Sequence, residues 1–190
     1  MNKQTMHTGA RTFRGRRAAL YAAQGAMTAA LYVALTWIAS MAGLSSMAVQ
    51  VRISEALCVL PFFMPAAVPG LFVGCLLANL MTGAVVWDIL FGSLATLLGA
   101  LGARGLSLLA GRADAAGRRR RAAVLTALIP LPTVAANTLV VPLVLRYAYA
   151  LQDALPYLFL TVGLGEVLSA WVLGLLLLRI LKKTVSRPRR

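Results

Sequence analysis

The chain predicts an all-α integral membrane protein with six transmembrane helices, and three observations carry that expectation. Of its 190 residues, 60% are hydrophobic and 13% charged, with a mean hydropathy of +0.81, outside the range of soluble globular chains. Apolar stretches long enough to cross a hydrocarbon core of about 30 Å recur along it. Lys and Arg outnumber Asp and Glu by 19 to 5, and the basic residues gather at Lys3–Arg17, Arg104–Arg121 and Arg179–Arg190, each beside an apolar stretch. In a soluble protein a net charge of +14 points to nucleic acid. Here the placement is the positive-inside pattern of a chain in a lipid bilayer, and no nucleic-acid partner is expected.

Ala18–Met41 is the first span. A basic start and an apolar run also suit a secretory signal cleaved near Ala42, but the run exceeds the usual core of about 7 to 15 residues and further spans follow. The second element is the hardest to assign. Ile53–Met64 alone makes only about 18 Å of α-helix; extended back to Ser46 it reaches spanning length and takes in Gln50, Arg52, Ser54 and Glu55. Charge parity requires it, because an even number of crossings must separate a cytoplasmic N-terminus from a cytoplasmic Arg118–Arg121 loop. Ala66–Trp87, Ile89–Leu109, Ala122–Arg146 and Tyr157–Leu181 complete the six. Pro61, Pro65 and Pro69 fall at the inner turn between the second and third helices, near helix starts where a missing N–H is tolerated. The organisation expected is a basic cytoplasmic tail at 1–17, a six-helix membrane domain at 18–181 and a second basic cytoplasmic tail at 182–190. Arg52 and Arg146 are the basic residues left for the outer side.

His7 is the one histidine, and it lies in the basic tail. With no His/Cys ligand set and no Ser/His/Asp arrangement, neither an enzyme nor a metal or cofactor site is expected. Cys58 and Cys75, both in apolar stretches, read as packing residues. The informative residues are the polar ones inside spans. An ionised side chain near the middle of a membrane helix costs roughly 2.5 to 3.5 kcal/mol on insertion scales, so it faces a partner, a cavity or a ligand. Glu55, Asn79, Thr96, Asn137 and Glu166 all lie about 12 to 14 Å in from the outer ends of their helices. A polar layer open to the outside describes a small-molecule capture site, with Arg52, Gln50 and Asp88 beside it as further candidate contacts.

Each candidate has a structural reading too. Arg52 and Glu55 form an i,i+3 pair that neutralises two charges within one helix. Asn79 and Asn137 are suited to hydrogen bonds between helices. Asp88 reads first as the cap of the fourth helix, beside Trp87. Trp37, Trp87, Tyr147, Tyr149 and Tyr157 suit an interfacial aromatic belt. Glu166 has no evident basic partner. On the first helix Ala18, Ala22, Ala26, Ala30 and Ala34 form a smooth ridge against which another backbone packs closely, and Gly70 and Gly74 suit internal packing of the third helix.

The segments VQVRISEALCVLPFFMPAAVPGLFVGCLLANL at 49–80, DILFGSLATLLGAL at 88–101, PLPTVAAN at 130–137 and GLGE at 163–166 carry a family resemblance running from about Thr28 to Leu181. The chain resembles the substrate-binding S components of energy-coupling-factor (ECF) vitamin transporters, and within them the queuosine-precursor transporter (QueT) family. The resemblance implies an S-component-like six-helix bundle in the bacterial plasma membrane that takes a 7-deazaguanine base, 7-aminomethyl-7-deazaguanine, from outside. No G-x-x-x-x-G-K-[ST] phosphate loop is present, so energy is expected from a transmembrane coupling subunit and two ATPase subunits. Family S components dock the coupling subunit through alanines spaced four apart, which maps onto Ala22, Ala26 and Ala30, and are thought to tip over in the membrane to release ligand. Glu55 and Glu166 would then hold the N–H edge and the aminomethyl cation of the ligand, in either order. Asn79 and Asn137 would meet the base oxygen, and Arg52 would offset a carboxylate or donate to the base carbonyl. The alternatives are an S component for another vitamin-like molecule, such as a pterin, a flavin or a different deazapurine, and a structural or regulatory membrane protein. Nickel and cobalt S components are disfavoured, because they place a histidine beside the start Met where this chain has Asn2.

Overall fold

The computed structural model describes the backbone of residues 3–43 and 51–185 and the side chains of residues 15–43 and 51–184. The regular elements of these residues are helical. They run α1 (Lys3–Met41), a 3-10 segment (Ile53–Phe62), α2 (Ala67–Met81), α3 (Val86–Ala115), α4 (Arg119–Ala127), α5 (Leu131–Tyr147), α6 (Leu155–Glu166), a π segment (Val167–Leu173) and α7 (Gly174–Val185).

Four stretches are long and apolar enough to cross a bilayer: Gly15–Met41, Val86–Ala115, Arg119–Tyr147 and Leu155–Thr184. Six were expected. The second expected helix, Ser46–Met64, is instead a 3-10 segment of 10 residues, about 20 Å long at roughly 2.0 Å per residue; Ser46–Gln50 lie outside the described residues. The third, α2, has 15 residues, about 22 Å. It stops at Met81, short of Trp87, because Thr82 and Gly83 close it. Gly83 adopts φ +73°, its N–H bonds to the Leu80 carbonyl at 3.3 Å, and the Ala84 N–H bonds to the Asn79 carbonyl at 3.0 Å. This paired capping needs a left-handed residue, which glycine supplies without strain.

Local chemistry also redraws other expected boundaries. The Arg-rich loop is short, since α3 continues to Ala115, Gly117 at φ +72° closes it in the same way, and Arg119 already opens α4. The expected Ala122–Arg146 helix is broken at Leu128–Pro130, where Pro130 has no N–H for the helical ladder and Leu131 bonds instead to the Leu128 carbonyl at 3.0 Å. Pro61 sits inside the 3-10 segment and not at a turn, while Pro69 lies in the first turn of α2, where no helical N–H partner is lost. The basic tail is continuous with the first span, because α1 starts at Lys3.

The 3-10 segment occupies the centre of the bundle, packed against α1, α2, α3, the π segment and α7. Ser54 through Pro61 are all buried. Irregular backbone at membrane depth survives only when protein surrounds it, and this segment meets that condition. Glycines let its neighbours close in. A Cβ on Gly74 of α2 would stand 2.8 Å from the Tyr32 Cβ and 3.0 Å from the Ala29 Cα of α1, and a Cβ on Gly99 of α3 would stand 2.7 Å from the Thr133 Cα of α5. Gly70 and Gly74 are thus internal packing positions, as the sequence suggested. Outward-facing Leu20, Met27, Leu31, Leu98, Leu139 and Leu160 are exposed and give the bundle an apolar mantle suited to lipid. The fold is an all-α, multi-pass membrane bundle.

Candidate functional site

The start of the 3-10 segment delivers the first polar groups. Ser54 accepts a hydrogen bond from Thr36 Oγ1 at 2.8 Å, and Glu55 Oε1 accepts one from the Tyr32 hydroxyl. Thr36 and Tyr32 are one turn apart on the buried face of α1, so this face is built to receive the segment. Arg52 precedes the segment at a non-helical φ of −94° and ψ of 89°, so it does not share a helix with Glu55 as expected, although the two opposite charges still lie near each other. Its guanidinium reaches α2 instead, Nη2 donating to Asn79 Oδ1 at 2.6 Å.

From Asn79 the network runs outward. Its Nδ2 donates to the Asp88 carbonyl at 3.3 Å, and the Asp88 carboxylate Oδ2 accepts from the Tyr149 hydroxyl at 3.0 Å. Tyr149 in turn receives the Val85 N–H at 3.3 Å. Burial holds the Tyr149 phenol above its usual pKa and the adjacent Asp88 carboxylate adds to the effect, so it remains a donor through neutral pH. The expected capping role of Asp88 is not what forms. Val85 occupies the cap of α3 with no side-chain cap bond, and Asp88 lies in the first turn, where a negative charge suits the helix dipole. Arg52, Asn79, Asp88 and Tyr149 line a cavity of about 420 Å³ with Thr36 and Ser40, within the size range of about 300 to 1,000 Å³ of small-molecule sites. It opens at the end of the bundle where α1, α2 and α5 finish.

A second group lies deeper. Asn137 on α5 is 1% exposed and sits beside both Glu55 and Glu166. Glu166 closes α6 at 4% exposure. Asn137 faces both carboxylates and Thr133 faces the Cys58 thiol without closing a well-aligned hydrogen bond, and among the described residues Glu166 Oε2 and the hydroxyls of Thr138 on α5 and Ser169 in the π segment have no hydrogen-bond partner. Thr133 and Asn137 are one turn apart, as are Glu166 and Ser169, so two packed elements each present a short polar row. A π turn widens the helix where Glu166 and Ser169 meet α5, a distortion common at functional sites.

Glu55, Asn137 and Glu166 are therefore brought together in one core, and Arg52, Asn79 and Asp88 in an adjoining one toward the cavity. Thr96 is buried, but its hydroxyl is engaged with the Gly92 carbonyl at 3.1 Å and Cys75 Sγ at 3.3 Å. Gln50 lies outside the described residues. Sequence reasoning missed Tyr32, Thr36, Ser54, Thr133 and Ser169. Tyr32 carried a usable signal, since it stands well inside an apolar span and not at its interfacial end. Ala22, Ala26 and Ala30 are all exposed along α1, on the face turned away from Thr28 and Tyr32.

The cavity lined by Arg52, Asn79 and Asp88 has the size to hold a small polar molecule, and the buried Glu55, Asn137 and Glu166 group lies next to it in the bundle interior. The family model described as QueT transporter matches residues 22–183, most of the chain and all of the polar core. Neither the curated proteins nor the solved structures compared with it gave a match. An apolar helical bundle with a buried polar core suits a transport protein, and the chain belongs to the QueT transporter family.

Proposed function

We propose that this chain is the substrate-capture S component of an ECF-type importer, binding 7-aminomethyl-7-deazaguanine or a related 7-deazaguanine from outside a bacterial plasma membrane. The observation that carries the reading is the buried polar group in the core, where Asn137 stands between Glu55 and Glu166 and Glu166 Oε2 has no hydrogen-bond partner among the described residues. Buried polar atoms are nearly always satisfied, and an unsatisfied carboxylate in an apolar bundle is costly unless something is to fill it. A guanine-type edge presents adjacent N–H donors to one carboxylate, and an aminomethyl cation pairs with the other. Asn137 supplies a donor for the base oxygen, while Asn79, whose amide already donates to the Asp88 carbonyl, holds Arg52 beside the core. Hydrogen bonds to charged groups contribute roughly 1.5 to 3 kcal/mol each, which discriminates against bases with the opposite donor pattern.

In this reading the Arg52–Asn79–Asp88–Tyr149 chain forms the outer wall of the entry, and the 3-10 segment and α2, with their flanks, complete six crossings with both termini in the cytoplasm. The exposed Ala22, Ala26 and Ala30 ridge, beside an apolar groove lined by Ala26, Ala30, Val73 and Leu77, is the surface for the transmembrane coupling subunit. Two ATPase subunits supply the energy.

The test is uptake of labelled 7-aminomethyl-7-deazaguanine into proteoliposomes that contain this chain with a coupling subunit and ATPase pair. ATP-dependent accumulation that requires this chain supports the reading. Equal accumulation without it, or none with any assembled module, contradicts it.

A further inference from the structure

At the opposite end of the bundle, α3, α4 and α7 surround a second cavity, of about 860 Å³, that ligand capture leaves unused. Arg104, Arg112, Arg119, Arg179 and Lys182 line it against a single acid, Asp114, so five cations face one carboxylate. Two of these cations are fixed by the protein. Arg104 is half-buried and donates from Nη1 to the Pro61 carbonyl at 2.9 Å, and Lys182 Nζ stands 4.4 Å from the centre of the Phe62 ring. Arg112, Arg119 and Arg179 are exposed around them.

Cations gathered about one cavity repel one another, and an anion with several acceptor oxygens relieves that repulsion while matching the planar donor fork of arginine. The remaining walls say what is attached to the anion. Phe62, Leu108, Leu175 and Leu178 line the same cavity, so hydrocarbon is accommodated beside the charge. Arg112, Arg179 and Lys182 stand near the ends of two stretches long enough to cross the bilayer, Val86–Ala115 and Leu155–Thr184, and Arg119 opens a third, Arg119–Tyr147, the level at which head groups lie, while Arg104 reaches the cavity from deeper in the bundle. We propose that this cavity binds the head-group phosphate of one anionic phospholipid, with an acyl chain along Leu108, Leu175 and Leu178. A soluble phosphate would meet the cations but leave the apolar wall bare, and diffuse attraction to an anionic surface would need no cavity.

The experiment uses full-length protein, stripped of lipid in detergent and titrated with phosphatidylglycerol or with phosphatidylcholine of the same chains, bound lipid being counted by native mass spectrometry. One phosphatidylglycerol is expected to bind in preference to phosphatidylcholine and to resist displacement by sn-glycerol 3-phosphate. Arg112→Gln with Arg179→Gln should weaken that first site roughly 30-fold. Arg16→Gln with Arg17→Gln removes the same charge from exposed positions on α1 and should leave it unchanged. Displacement by glycerol phosphate at matched concentration would overturn the lipid assignment in favour of a soluble phosphate. Equal weakening by both double variants, or no difference between the two lipids, would show charge attraction without a site and overturn the proposal altogether.

Discussion

Replacing Glu166 with glutamine sets the cost of a buried carboxylate against its use. The side chain is 4% exposed, Oε2 has no hydrogen-bond partner among the described residues, and Glu55 lies near it. Without ligand, a charge in such a position costs roughly 2.5 to 3.5 kcal/mol on insertion scales, and the isosteric amide removes that cost. The unliganded variant should therefore melt at or above the wild-type temperature. With ligand the sign reverses. Losing one hydrogen bond to a charged acceptor removes roughly 1.5 to 3 kcal/mol, which weakens binding by roughly 10- to 150-fold. Thermal unfolding and calorimetric titration of 7-aminomethyl-7-deazaguanine on one detergent-purified sample give both quantities. Wild-type affinity in a folded Glu166→Gln protein would refute the role given to this residue. A clear drop in unliganded stability would refute the claim that the carboxylate is there for ligand and not for the fold.

Three further outcomes follow from other contacts. Tyr32→Phe removes the donor to the buried Glu55 carboxylate and should destabilise the unliganded protein by about 1 to 3 kcal/mol in thermal unfolding; an unchanged midpoint would mean that another group satisfies Glu55. Gly99→Val places its Cβ 2.7 Å from the Thr133 Cα, so α3 and α5 must part, at a cost of about 1 to 3 kcal/mol, with ligand affinity falling as Asn137 shifts. A variant with wild-type affinity and stability would show that this approach of helices is not needed. Ala26→Leu and Ala30→Leu fill exposed positions on α1 and should abolish energised uptake while leaving titrated affinity unchanged, whereas wild-type uptake would remove the ridge from the docking surface.

Glu55, Asn137 and Glu166 were legible in the sequence because a carboxylate or amide in an apolar run has few uses, and the cost of burying it does not depend on knowing the fold. The convergence of these residues on one core follows from their common depth. What they touch did not follow. Arg52 three residues before Glu55 reads as a helical pair, but the backbone turns into the helix only after Arg52, and its guanidinium is carried to Asn79 on another element. The 3-10 geometry was hidden because the segment is buried all round and has no polar face whose spacing would reveal its period. Ser169 and Thr133 looked like ordinary small residues of membrane helices until the π segment and the break at Pro130 brought their elements together. Helix ends were misplaced where one residue decides them, at Gly83, Gly117 and Pro130, and hydropathy is blind to that chemistry.

The most direct measurement is calorimetric titration of the purified chain with 7-aminomethyl-7-deazaguanine, with guanine and riboflavin as controls. Saturable one-to-one binding of the deazaguanine, far tighter than either control and lost in Glu55→Gln with Glu166→Gln, is the predicted result. A folded protein that binds none of the three, or prefers riboflavin, would contradict the claim that this polar core is shaped for a 7-deazaguanine.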